Sequence, residues 1–135
     1  MLKRIFGVVA AVAAVVAMSV SMAVPAQAGE AGGRLYVNAE ISVSGPGVDE
    51  VTTSTLRCKP VGGTHANRVA ACREIDRVDG QLAKVDREWN SICTREYAPI
   101  LVRFSGVIGN DRYSYEREFG NPCIFADSAS VLWQI

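Results

Sequence analysis

From residue 34 to 43 the apolar positions fall on one parity: Leu35, Val37, Ala39, Ile41 and Val43. A period of two predicts a half-buried strand. Ser44-Gly45-Pro46-Gly47 stops it, and residues 51–58, rich in Val and Thr, resume as a second strand. Pro60 and two consecutive glycines mark 59–63 as turn. Over 66–78 the period lengthens. Val69, Cys72 and Ile75 then share the inner face of a helix that Gly80 stops. Residues 81–91 are mixed and charged and fit either a short helical turn or a loop. Residues 99–107 and 112–119 form the clearest hairpin, with Ile100, Val102 and Phe104 alternating on the first arm, Tyr113, Tyr115 and Phe119 alternating on the second, and Gly109-Asn110-Asp111 as the turn. Asn121-Pro122 ends that strand and begins a short helix through Asp127. Residues 129–135, with Val131 and Trp133 on one face, predict a last strand. The sum is an α+β domain: a five-stranded antiparallel sheet with one main helix and a second short helix.

Residues 1–28 stand apart. Lys3 and Arg4 precede a nearly unbroken apolar run over 5–22, followed by Pro25 and Ala26-Gln27-Ala28. That is the pattern of an export signal cleaved after Ala28, and no basic stop-transfer cluster follows it. The expectation is a secreted, extracellular chain of a single domain, 29–135, with no membrane attachment after cleavage. Removing Lys3 and Arg4 from the 14 basic residues leaves 12 against 14 acidic ones, a net charge of −2. No basic field for nucleic acid exists, so charge says little about the partner. All four cysteines, Cys58, Cys72, Cys93 and Cys123, follow the signal, and an even count in an exported chain reads as two disulfides. Of the three possible pairings, Cys58–Cys72 with Cys93–Cys123 joins neighbouring elements. Closing a loop of about 15 residues is worth roughly 3 kcal/mol in the chain-entropy model, and the longer loop roughly 3.5–4 kcal/mol. A small domain needs such links.

Candidate chemistry is sparse. The chain has no G-x-S-x-G, no H-E-x-x-H and no phosphate-cradling glycine pattern, so an enzyme is not expected and no cofactor is called for. No C-x-x-C pair exists and His65 is the single histidine, so no metal site is expected either. His65 reads as structural. Glu116 and Glu118 share one strand face and read as ordinary solvated carboxylates.

Residues 92–99, ICTREYAP, are different. They lie between an irregular region and a strand, which makes them an exposed loop. Cys93 pins its start, Pro99 stiffens its end, and Arg95 sits two positions from a cysteine. A clamped, extended segment with one long basic side chain suits a trypsin-like specificity pocket, where a carboxylate pairs with guanidinium. An ordinary solvated arginine fits the same spacing.

The blocks CKPVGGTHANRVAAC (58–72), CTREYAPILV (93–102), YSYEREFGNPC (113–123) and SASV (128–131) resemble the Streptomyces subtilisin inhibitor family. The resemblance covers nearly all of the chain from about Leu35. It implies a secreted inhibitor of subtilisin-like and trypsin-like serine proteases, a five-stranded antiparallel sheet with two helices, a homodimer, and the pairing Cys58–Cys72 with Cys93–Cys123. It places the reactive bond two residues after the third cysteine, at Arg95–Glu96. Arg95 is then the residue for the protease's primary pocket. Ile92, Cys93, Thr94 and Tyr97 are the flanking contacts, and Asn121 is the side chain that supports the loop. Pro122 stands where the family more often has a charged residue. A non-inhibitory secreted binding module on the same scaffold is the alternative expectation.

Overall fold

The alternation of the first strand becomes geometry in a computed structural model, which describes residues 33–135. The apolar segment 1–28 and the expected cleavage point lie outside the described residues. Strand β1 (Val37–Gly45) turns Val37, Ala39, Ile41 and Val43 inward and leaves Asn38 and Glu40 exposed. It pairs antiparallel with β2 (Val48–Cys58) on one side and β3 (Ile100–Ile108) on the other. β4 (Asp111–Phe119) completes the order β2-β1-β3-β4. Phe104 stands opposite Ile41 on β1 and Tyr115 on β4. One parity therefore buries a continuous apolar face, as period-two patterning requires.

Helix α1 (Arg68–Arg77) covers that face with Ala71, Cys72 and Ile75, while Val69 is only half-buried. Gly80 closes it as expected, but with help. The Gly80 amide donates to the Ile75 carbonyl and the Asp79 amide to that of Asp76, with Asp79 in the left-handed region at φ 53°. This is a Schellman stop in which Asp79 takes the first left-handed position and Gly80, at φ 77°, the next. The Cys58–Cys72 disulfide joins the end of β2 to the buried side of α1, with Cα atoms 5.8 Å apart. Before β1, the Asp76 carboxylate accepts from the backbone amides of Arg34 and Leu35, which ties the start of that strand to the helix.

His65 is fully buried. Its Nδ1 lies 3.0 Å from the Asn67 amide, which can only donate, so Nε2 carries the proton and donates to the Leu132 carbonyl at 3.0 Å. Both ring nitrogens thus serve the backbone. Gly63 allows the loop to approach: a side chain there would put its Cβ 2.2 Å from the Thr55 carbonyl oxygen, at a φ of +95°.

The expected fifth strand is the one element that differs. Among the described residues the sheet has four strands. Residues 129–135 instead form a 3₁₀ turn, Val131–Trp133, capped by the Ser130 hydroxyl accepting from the Leu132 amide. Neighbouring Leu132 and Trp133 are both buried. A strand sends neighbours to opposite faces, so only a tight turn lets both reach one core. Trp133 stacks on Tyr115, and its indole N–H donates to Asp86 Oδ1 at 2.8 Å. That carboxylate also accepts from the Ser130 amide and lies 3.1 Å from an Arg117 nitrogen; its burial nevertheless pushes its pKa up. Residues 81–91 turn out to hold both alternatives, a 3₁₀ turn at Leu82–Lys84 followed by irregular chain from Arg87.

Phe104 is fully buried at the centre of the core. Phe104→Ala is expected to destabilise by about 3–5 kcal/mol, the cost of an unfilled aromatic cavity. Urea unfolding followed by tryptophan fluorescence checks it.

Candidate functional site

Residues 87–99 run without helix or strand between the 3₁₀ turn and β3. Ser91, Ile92, Thr94, Arg95, Glu96 and Tyr97 are exposed there, Ile92 as fully as in an isolated residue. A chain that buries so little is not held by hydrophobic packing, so its shape must come from cross-links and hydrogen bonds. They arrive chiefly from one element. Helix α2 (Pro122–Ser128) follows β4 directly and lies beneath the loop.

Asn121 is the centre of that support. It is 4% exposed, and its Nδ2 donates to the Thr94 carbonyl at 2.9 Å and to the Glu96 carbonyl at 3.1 Å. Its Oδ1 accepts from the Ile124 amide at 3.0 Å and so caps α2. One side chain therefore fixes the helix start and grips the backbone on both sides of Arg95. Pro122 fits this arrangement: as first residue of the helix it forfeits no hydrogen bond, and its fixed φ suits that position. The Cys93–Cys123 disulfide, with Cα atoms 5.7 Å apart, fastens the loop one residue before Thr94 to the second residue of α2. The Arg95 guanidinium is exposed.

The downstream arm is tied to the sheet. The Ala98 amide donates to the Gly120 carbonyl at 3.0 Å, and β3 begins two residues later, opposite Phe119. The Tyr97 hydroxyl donates to Glu118 at 2.7 Å, and this bond pushes the phenol pKa up. The sequence reading of Glu116 and Glu118 as merely solvated therefore needs correction. Glu118 holds Tyr97, and Glu116 pairs with Arg103 at 2.5 Å across the β3–β4 ladder.

The upstream arm rests on groups that sequence reasoning did not find. Asp127 Oδ2 accepts from the amides of Asn90 and Ser91 at 2.6 and 3.2 Å, and its Oδ1 accepts from the Ser91 hydroxyl at 2.6 Å. These bonds hold the Asp127 carboxyl below the usual carboxylate range. The Arg87 amide donates to the Ser128 carbonyl at 3.0 Å. These contacts join residues 36 or more apart in sequence, and no local pattern marks them.

Among the described residues no group of three His, Cys, Asp or Glu side chains could hold a metal ion. No helix among them is long and apolar enough to cross a membrane. The arrangement presents an exposed backbone that is anchored at both ends and gripped in the middle. Such a segment can lie in the cleft of another protein as an added strand.

A family model described as subtilisin inhibitor-like matches residues 35–121. The chain is 40% identical over 82 residues to the protease inhibitor SIL-V1/SIL-V4 of Streptomyces netropsis, an alignment covering 59% of this chain and 74% of that protein. It is 45% identical over 80 residues to a subtilase-type protease inhibitor of Streptomyces coelicolor, covering 58% of this chain and 56% of that one. The chain thus spans little more than half the length of the second relative. Among solved structures, Streptomyces caespitosus sermetstatin, crystallised in complex with Bacillus licheniformis subtilisin, superposes with a TM-score of 0.63 at 24% identity, covering 73% of this chain and 98% of that one. That likeness shows a shared fold.

Proposed function

Because the chain belongs to the subtilisin inhibitor-like family, we propose that it is a secreted inhibitor of serine proteases, acting on subtilisin-like and trypsin-like enzymes through the Arg95–Glu96 bond. The observation that carries this reading is the pair of hydrogen bonds from Asn121 to Thr94 and Glu96, which straddle that bond. An exposed loop has no packing reason to be held so firmly. A loop that must enter a protease cleft already extended has one, because ordering it beforehand removes much of the entropy lost on docking.

In this reading Arg95 enters the primary pocket, Ile92, Cys93 and Thr94 lie along the cleft, and Glu96 and Tyr97 follow on the leaving side. When the catalytic serine attacks the Arg95 carbonyl carbon, the bond to the Glu96 nitrogen breaks and an acyl-enzyme forms. The new amine of Glu96 does not diffuse away. Asn121 holds the Glu96 carbonyl, Glu118 holds Tyr97, and Gly120 holds Ala98. The Cys93–Cys123 bridge keeps the acyl side beside it. The amine stays at high effective concentration and re-forms the peptide bond faster than water replaces it. The inhibitor is a substrate that leaves too slowly.

Secretion rests on the signal pattern of 1–28, with Gly29 as the first residue of the exported protein. A homodimer rests on the family resemblance alone.

Titrating trypsin, subtilisin and chymotrypsin of known active-site concentration with the secreted protein tests the function. One-to-one loss of trypsin and subtilisin activity is expected. A protein that leaves all three enzymes fully active is a binding module and not an inhibitor. Asn121→Ala removes two bonds to the loop, each worth about 1 kcal/mol. The loop of the variant is expected to be hydrolysed by trypsin at least about tenfold faster. A time course of intact inhibitor, followed by mass, measures it.

A further inference from the structure

Three donors converge on the Asp127 carboxylate from the upstream arm of the loop, outside the segment that would touch a protease. Asp127 is also an acid in the last turn of α2. A negative charge there opposes the helix dipole, so the helix itself has no use for it. The cation that acts on it, Arg87, lies on the same arm, and its guanidinium donates to the Asp127 backbone carbonyl at 3.4 Å rather than to the carboxylate. The carboxylate is therefore left to the Asn90 and Ser91 donors. Ile92, the next residue, is wholly exposed and has no packing to hold it, and Trp89 on the other side is also exposed.

We propose that Asp127 is a positioning residue which fixes the upstream arm at Asn90–Ser91 and so sets how tightly and how long the loop engages its protease. This rests on the inhibitory reading given above. Asn121 and the disulfide hold the loop from Cys93 onward; without Asp127 nothing described holds Asn90 to Ile92, and the approach to the cleft loses its register. The two anchors divide the labour: one keeps the scissile bond re-closable, the other aims the strand that leads into it.

The test compares wild type with Asp127→Ala and Asp127→Asn. The asparagine can still accept from both backbone amides and can donate to the Ser91 hydroxyl. In Asp127→Ala, backbone order parameters of residues 90–92 are expected to fall while those of the sheet stay unchanged. The trypsin inhibition constant is expected to rise on the order of tenfold to a hundredfold, the entropy of re-ordering two backbone residues. The unfolding midpoint is expected to move by no more than about 4 °C. Asp127→Asn is expected to recover most of the affinity. Unchanged order parameters and an inhibition constant within twofold of wild type would overturn the proposal. So would equal weakening of both variants in step with a large fall in unfolding midpoint, which would make Asp127 a structural residue only. If wild type inhibits no protease, the functional reading fails by itself, and the order parameters alone decide whether Asp127 clamps the arm.

Discussion

Arg95→Glu is expected to abolish trypsin inhibition, raising the inhibition constant at least about a thousandfold, while the fold is untouched. A trypsin-like pocket binds guanidinium through a buried carboxylate, and removing one partner of such a pair costs about 2–5 kcal/mol. Glutamate does more, because it sets a second negative charge against the first. Every factor of ten corresponds to about 1.4 kcal/mol, so a thousandfold, about 4.2 kcal/mol, is reached by the lost pair and the new repulsion together. The fold is spared because Arg95 is exposed, and no salt bridge among the described residues involves it. Surface substitutions of this kind stay within about 0.5 kcal/mol. Subtilisins, whose pockets depend less on charge, are expected to lose far less. Titration of trypsin and subtilisin with both proteins, alongside thermal unfolding, checks this; equal potency on trypsin would remove Arg95 from its role.

The second large effect is expected from Cys93→Ser combined with Cys123→Ser. The bridge closes a loop of 30 residues by sequence separation, and its loss costs roughly 2–5 kcal/mol of stability. Cys58–Cys72 and the buried core remain, so the sheet and α1 should survive. The functional loss is expected to be greater than the structural one. After acylation at Arg95 the bridge is the covalent tie between the two halves of the cut loop. Without it the two halves are joined by non-covalent contacts alone, and close to the cut the leaving side is restrained by the bonds that Asn121 donates to Glu96 and that Glu118 and Gly120 accept from Tyr97 and Ala98, each worth about 1 kcal/mol. Inhibition should then be temporary, full at first mixing and fading over hours as the protein is digested. Full inhibition that lasts would contradict the clamping role of the disulfide.

What could be read in the sequence was what repeats or is local. Alternation in 35–43 and 100–104 located β1 and β3, because each inner position is buried for the same reason as the next. Asn121-Pro122 marked a helix start because Asn caps and Pro at the first position are local chemistry. The even cysteine count pointed to two disulfides, and the pairing found is the one that joins neighbouring elements and that the family resemblance implies. The last seven residues misled, because Val131 and Trp133 mimic a strand. Only the core shows that Leu132 must be buried as well. The loop's supports divide in the same way. That Asn121 reaches the loop was implied by family resemblance, since nothing in its neighbours points toward Thr94. Asp127 and Glu118 could not be found at all. An acid in a helix or on a strand face looks the same whether it meets water or a loop amide 36 residues away.

Inhibition as proposed requires that Arg95–Glu96 be the bond a protease attacks and fails to release. Incubating the secreted protein with a small amount of trypsin, then weighing it intact and after reduction, tests this most directly. A species heavier by one water is expected before reduction, and on reduction it should separate into fragments ending at Arg95 and beginning at Glu96. Its amount should settle to a constant ratio with the uncut form. Cleavage at any other bond first, or steady digestion with no such equilibrium, would contradict it.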